Sequence, residues 1–176
     1  MTAGNEQLKI KKTTKVIVTI LFIINCALSI TGCYSFTGSS VPPHLKTVAI
    51  PLVEDVSGFG EAGIREKFTR KLIDLFVNDN SLQIGERTTS DSIIEGTIVS
   101  ITDAPFVISG GEVVKTRKVT ITVRASFTDM KFRKKVWEKD FSNYGQYDQG
   151  QPRTAAVEDA VNKVAEDILL ETVSGW

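Results

Sequence analysis

The sequence predicts an α+β fold: a two-layer sandwich, with a mostly antiparallel sheet of about four strands and two amphipathic helices on one face. Three observations carry this expectation. Residues 113–130 hold the clearest strand, with Val119, Ile121, Val123, Ala125 and Phe127 on one face and Lys118, Thr120, Thr122, Arg124 and Ser126 on the other. Two other segments switch to helical spacing. Ile64, Phe68, Leu72, Leu75 and Phe76 form one stripe, and Val157, Ala160, Val161, Val164, Ala165 and Ile168 form another. A period of two places one face of a strand against a core, and a period of 3.6 does the same for a helix. The order of elements is β-α-(short β)-β-β-β-α, and sequential strands covered by helices make two layers.

The first strand lies in "LKTVAIPLVE", where Val48, Ile50 and Leu52 alternate with other residues. Pro51 has no N–H to give to a ladder, so this strand is at an edge or bends there. The first helix follows Gly58-Phe59-Gly60, which opens a helix and lacks the third glycine of a nucleotide-binding fingerprint. Arg65, Lys67, Arg70 and Lys71 lie off its apolar stripe and read as a solvated face. "NDNS" at 78–81 has the turn chemistry to end it. "LQIGER" is a short strand. Residues 90–108 form a longer strand whose apolar residues do not alternate cleanly; Gly96 and Pro105 suggest bends or bulges. "SGGE" at 109–112 reads as a hairpin turn. "TDMKFRKK" holds the next turn, and 136–147 form the last strand, with Trp137 early in it. Thr154 is a candidate N-cap for the last helix, and Glu158 and Asp159 are placed near its positive end.

The N-terminus reads differently. A polar segment with Lys9, Lys11, Lys12 and Lys15 precedes 15 uncharged residues, Val16–Ile30. That pattern is a secretory signal, and the run is short for a membrane span of roughly 20 residues. It closes on Ile30-Thr31-Gly32-Cys33, which resembles a bacterial lipobox: an aliphatic residue, then a small residue, then the cysteine. Gly32 and Cys33 would flank the cleavage point, and the Cys33 thiol would take the diacylglyceryl group. The alternatives are an uncleaved anchor or an unlipidated secreted chain. Cys26 follows Asn25, with no small residue before it, and would leave with the signal. The organisation expected is therefore a signal over 1–32, a lipidated tether over 33–43 and a single domain over 44–176. The tether contains "TGSSVPP", polar and rich in Gly, Ser and Pro.

Composition excludes several classes. The chain carries 21 basic and 21 acidic residues. Without residues 1–32, which hold four lysines and Glu6, 17 basic and 20 acidic residues remain, a mild acidic excess unlike that of a nucleic-acid binder. His44 is the only histidine, so neither a metal cluster nor a proton relay can be built from histidines; it reads as structural. Glu54 and Asp55 are adjacent acids of the kind common on surfaces. No serine elbow, phosphate loop or zinc-type cysteine pair occurs. The chain is expected to be no enzyme and to need no cofactor and no metal.

Taken in order, the lipobox with "CYSF", "VPPHLKTVAIPLVED", "DLFVNDNSLQI", "SIIEGTIVSI", "VTITVRASFTDM", "VWEKDFS" and "AVEDAVNKVAEDILLETV" resemble the lipopolysaccharide-assembly lipoprotein family, LptE, over essentially all of 33–176. The resemblance implies a lipid anchor in the inner leaflet of the outer membrane. It implies a large partner β-barrel, LptD, which the domain plugs. It also implies delivery of lipopolysaccharide to the outer leaflet, binding of lipopolysaccharide by the plug, and no catalytic residue. Tyr34, which stands where an aspartate would favour inner-membrane retention, fits the outer membrane. By analogy with the family's basic sheet residues, Lys115, Arg117 and Lys118 are the candidate lipopolysaccharide ligands; they could equally be solubilising a strand end. The alternative function is another outer-membrane lipoprotein that serves as a periplasmic scaffold or secretion accessory.

Overall fold

The computed structural model describes residues 41–106 and 116–176. In them the chain forms β1 (Thr47–Ala49), β2 (Glu54–Asp55), α1 (Ile64–Asp79), β3 (Gln83–Ile84), β4 (Ser92–Pro105), β5 (Thr116–Asp129), β6 (Lys134–Asp148) and α2 (Thr154–Ser174). The α+β sandwich is as the sequence predicts. The strand count differs: the described residues form a six-stranded mixed sheet, ordered β3-β1-β4-β5-β6, with β2 also on β4. The three long strands make an antiparallel meander. The three short ones pair in parallel.

Pro51 accounts for part of this difference. β1 pairs Val48 with Ser92 and Ala49 with Ile93, then stops. The chain bends through 50–53 and rejoins the same neighbour, with Glu54 opposite Thr97. The single expected strand is thus two short ones along β4. Helix α1 satisfies the bend. Thr69 Oγ1 accepts the Val53 N–H at 3.0 Å and donates to Arg65 O at 2.8 Å. Arg65 Nε donates to Val53 O at 3.0 Å. Arg65 therefore holds the loop and is not simply solvated.

The uneven pattern of β4 also resolves. Its register with β5 shifts between Ile98 and Ser100, so Val99 is the extra residue of a bulge. Ile94, Ile98 and Ile101 lie opposite Phe127, Val123 and Ile121, all on the core face. Gly96 is not the bulge. A Cβ there would lie 3.2 Å from Val53 Cγ2, so the glycine makes room for the Val53 side chain.

The core lies between this face and the two helices. Phe68, Leu72 and Phe76 of α1, Val119, Ile121, Val123 and Phe127 of β5, and Ala160, Val164 and Ile168 of α2 are all buried. Each large side chain removed from water contributes about 1.5–3 kcal/mol. Helix α2 lies along β5 and β6, while α1 rests on α2 and the short strands β2 and β3. Asn80 ends α1 in the left-handed region, its N–H donating to Phe76 O, as the "NDNS" turn predicts. At α2 the expected cap is corrected. Thr154 is the first helical residue; Arg153 occupies the cap position with no side-chain bond to the helix end, its guanidinium pairing with Glu61 at 3.1 Å instead, and no acid lies in the first turn. Asp159 instead pairs with Lys163 one turn on, at 2.6 Å.

Candidate functional site

Alternation, interrupted at the Val99 bulge of β4 and near Val136 of β6, sends about half of the meander's side chains away from the helices. The outward row of β5 is Lys118, Thr120, Thr122, Arg124 and Ser126. Opposite it lie Ala104, Thr102, Ser100, Thr97 and Glu95 on β4, and Gln146, Tyr144, Ser142, Asp140 and Glu138 on β6. No described helix covers this face, and its side chains are half-buried or exposed. It is a broad surface dominated by hydroxyls.

Its polar groups are paired across strands. Thr122 Oγ1 and Ser142 Oγ are 3.0 Å apart. Arg124 forks onto Asp140, Nε to Oδ1 at 2.8 Å and a terminal nitrogen to Oδ2 at 3.0 Å. That hydrogen bonding holds the Asp140 carboxyl below the usual carboxylate range. Paired hydroxyls and a bidentate ion pair fix the surface in one arrangement without an apolar partner.

The candidate basic residues separate. Lys115 lies outside the described residues, as do the "SGGE" turn and Gly32 and Cys33. Arg117 points to the helix side of the sheet end. Its Nε donates to Asp103 Oδ1 at 2.9 Å and to Tyr147 OH at 3.0 Å, and the Tyr147 hydroxyl donates to Asp103 Oδ2 at 2.6 Å. Tyr147 and then Asp103 hold the guanidinium firmly in its charged form. Lys118 lies on the open face, its Nζ 5.4 Å from the centre of the Tyr144 ring. Lys163 of α2 approaches the same ring, at 5.7 Å, and donates to Tyr144 O. The structure thus brings Lys118 and Lys163 together over Tyr144 and keeps Arg117 apart, engaged by an acid.

His44 belongs to a cluster that sequence reading had not assembled. Its Nε2 lies 2.6 Å from Asp129 Oδ2, and its ring centre is 4.8 Å from that of Phe132. Asp129 Oδ1 accepts the Phe132 N–H at 2.9 Å. Burial would raise the Asp129 carboxyl, but bonds to His44 and to the Phe132 and Lys131 backbone outweigh it and keep it low. Lys131 Nζ donates to His44 O at 2.6 Å and pairs with Asp91 at 3.0 Å. Asp91 in turn accepts the N–H groups of Lys46 and Thr47. The cluster clasps the start of the domain to the β5–β6 turn. Asp129, four residues before a run of cations in a turn, was the available signal. Among the described residues no group of acids, cysteines or histidines could hold a metal, and no helix is long and apolar enough to cross a membrane.

Comparison with known families decides the class. The model of the lipopolysaccharide-assembly family LptE matches residues 45–172, 128 of the 176. The chain belongs to the LptE family. No curated protein matches it in sequence. Among solved structures, protein XCC0632 from Xanthomonas campestris, of family DUF330, has 13% identity and a TM-score of 0.54. That match covers 77% of this chain and 91% of the other. The hypothetical protein CT253 from Chlamydia trachomatis has 7% identity and a TM-score of 0.55, covering 75% and 99%. These two show that this LptE fold is shared by proteins of very different sequence. Rare lipoprotein B from Shewanella oneidensis is looser, at 11% identity and a TM-score of 0.48, covering 74% and 96%.

Proposed function

We propose that this LptE-family chain is an outer-membrane lipoprotein, anchored through Cys33 after cleavage behind Gly32, that plugs an LptD-type β-barrel and aids delivery of lipopolysaccharide to the outer leaflet. The observation that carries this reading is the β4–β6 face, which no described helix covers. A wide barrel has a polar interior. A domain lodged there needs a rigid outer face of hydroxyls and paired ions, and an apolar face would suit a lipid or protein-core contact instead. The Thr120/Thr122/Ser126 row with the Arg124–Asp140 fork supplies such a surface. The chain acts by fit and needs no catalytic residue. Lipopolysaccharide phosphates would meet Lys118 at the end of that face, together with Lys115, three residues earlier in sequence. Arg117, tied to Asp103, would shape that end of the sheet.

The test is a mild-detergent pull-down of the tagged chain from native membranes, with partners identified by mass spectrometry. A large outer-membrane barrel in roughly equal amount is expected. Recovery with soluble or envelope-spanning partners alone would overturn the plug and favour a scaffold.

A further inference from the structure

The β5–β6 turn has a composition that folding alone does not require. Phe132 is 71% exposed and Met130 42% exposed, although both could be polar at a hairpin tip. They are set among Lys131, Arg133, Lys134 and Lys135, all exposed. The turn is built to show the ring outward. Asp129 holds the Phe132 N–H, and Arg133 adopts φ +51, a left-handed conformation uncommon outside glycine. The nearby acids are all engaged: Asp129 by His44, Asp91 by Lys131, and Glu138 by Lys135. The side chains of Arg133 and Lys134 make no hydrogen bond or ion pair with any described residue, the backbone of Lys134 being paired with Asp129 in the ladder. An exposed aromatic ring flanked by free cations is the chemistry of a bilayer interface. The ring enters the acyl boundary while the cations meet lipid phosphates.

The position of the turn agrees. His44 touches Phe132, and Lys131 bonds the His44 carbonyl, so the tip lies against a residue 11 positions after Cys33 in sequence. The 11 residues from Cys33 to His44 reach at most about 40 Å. We infer that the Met130–Lys134 tip is a second membrane contact, dipping into the headgroup layer of an anionic phospholipid bilayer. This rests on the anchoring at Cys33 proposed above. The two acyl chains of a diacylglyceryl group retain a chain at the bilayer but do not orient the domain, and a contact of aromatic and basic residues supplies that orientation.

The test uses the full lipidated chain with Met130→Cys carrying a nitroxide, in vesicles of phosphatidylethanolamine and phosphatidylglycerol. A label at Gln151→Cys, beyond the opposite end of β6, is the control. The Met130 label should collide several-fold more with dissolved oxygen than with a water-soluble nickel chelate; the Gln151 label should do the reverse. Changing Phe132, Arg133 and Lys134 to Ser should return the Met130 label to the aqueous pattern. An aqueous pattern at Met130 in the unaltered tip overturns the proposal. So does a label shielded from both reagents only when a barrel copurifies, which would mark a protein contact. The mass of the chain checks the anchor separately. If it carries no acyl groups, the anchor reading fails by itself, and the same readout on a Cys33→Ser chain mixed with the vesicles decides the tip.

Discussion

At the scale of single residues, the sheet end shows how pairing changes the meaning of a charge. Arg117 and Lys118 are neighbours, yet they lie on opposite faces and have different surroundings. Arg117 is held by Asp103 and Tyr147, while Lys118 rests over Tyr144 on the open side. Replacing Lys115 and Lys118 with Ser should therefore weaken lipopolysaccharide binding by roughly tenfold or more, since hydrogen bonds to charged groups contribute about 1.5–3 kcal/mol each. Arg117→Ser should instead lower the melting temperature by stranding Asp103 and leave affinity nearly unchanged. Titration of the variants with lipopolysaccharide, alongside thermal unfolding, separates the two; unchanged affinity in the double variant would remove the lysines from the site. The grouping of Arg117 with Asp103 was not legible in the sequence. The two are 14 residues apart, and Asp103 reaches the helix side only because Val99 is bulged out. Without that extra residue every side chain beyond it would switch faces.

At the scale of elements, legibility followed the length of the pattern. β5 was readable because five alternating apolar residues leave one consistent face, and the apolar stripe of each helix likewise named most of its buried residues. β1, β2 and β3 were not separable, because two or three residues of pairing depend on a neighbour distant in sequence. The close approach of β6 and α2 was equally hidden. A Cβ at Gly145 would lie 2.1 Å from the Ala156 carbonyl oxygen, in the first turn of α2. Backbone meets backbone there, so no side-chain rotation can relieve a clash. Gly145→Ala should destabilise the domain by about 1–3 kcal/mol, the usual cost of overpacking. Denaturant unfolding reads it, and a shift below about 0.5 kcal/mol would mean that α2 does not dock on β6 as described.

At the scale of the whole molecule, the meander and the N-terminal additions differ in how they are held. β5 is bonded along its length on both sides and has a dry face. β2 and β3 are two residues each, and each is paired on one side. Native-state hydrogen exchange should place the amides of Val119, Ile121 and Val123 at the limit set by global unfolding, with those of the β2 and β3 pairings exchanging orders of magnitude faster. Equal protection across the sheet would show one cooperative unit. Protection greatest in the short strands would contradict the topology. The same layout explains why the described helices leave the hydroxyl face open: α2 covers β5 and β6, α1 covers α2 and the short strands, and the opposite side keeps its rows of Thr and Ser.

The position of β1 has a mechanical consequence. It is the first strand after the residues that lead from Cys33, and it lies inside the sheet, bonded to β3 on one side and β4 on the other. Tension arriving through the N-terminal segment meets the His44–Asp129 clasp first and then a strand gripped from both flanks. An edge strand would peel one bond at a time, whereas β1 must slide free of two neighbours together. Were the chain anchored at Cys33 as proposed, a pull on it would enter the domain through an interior seam of the sheet.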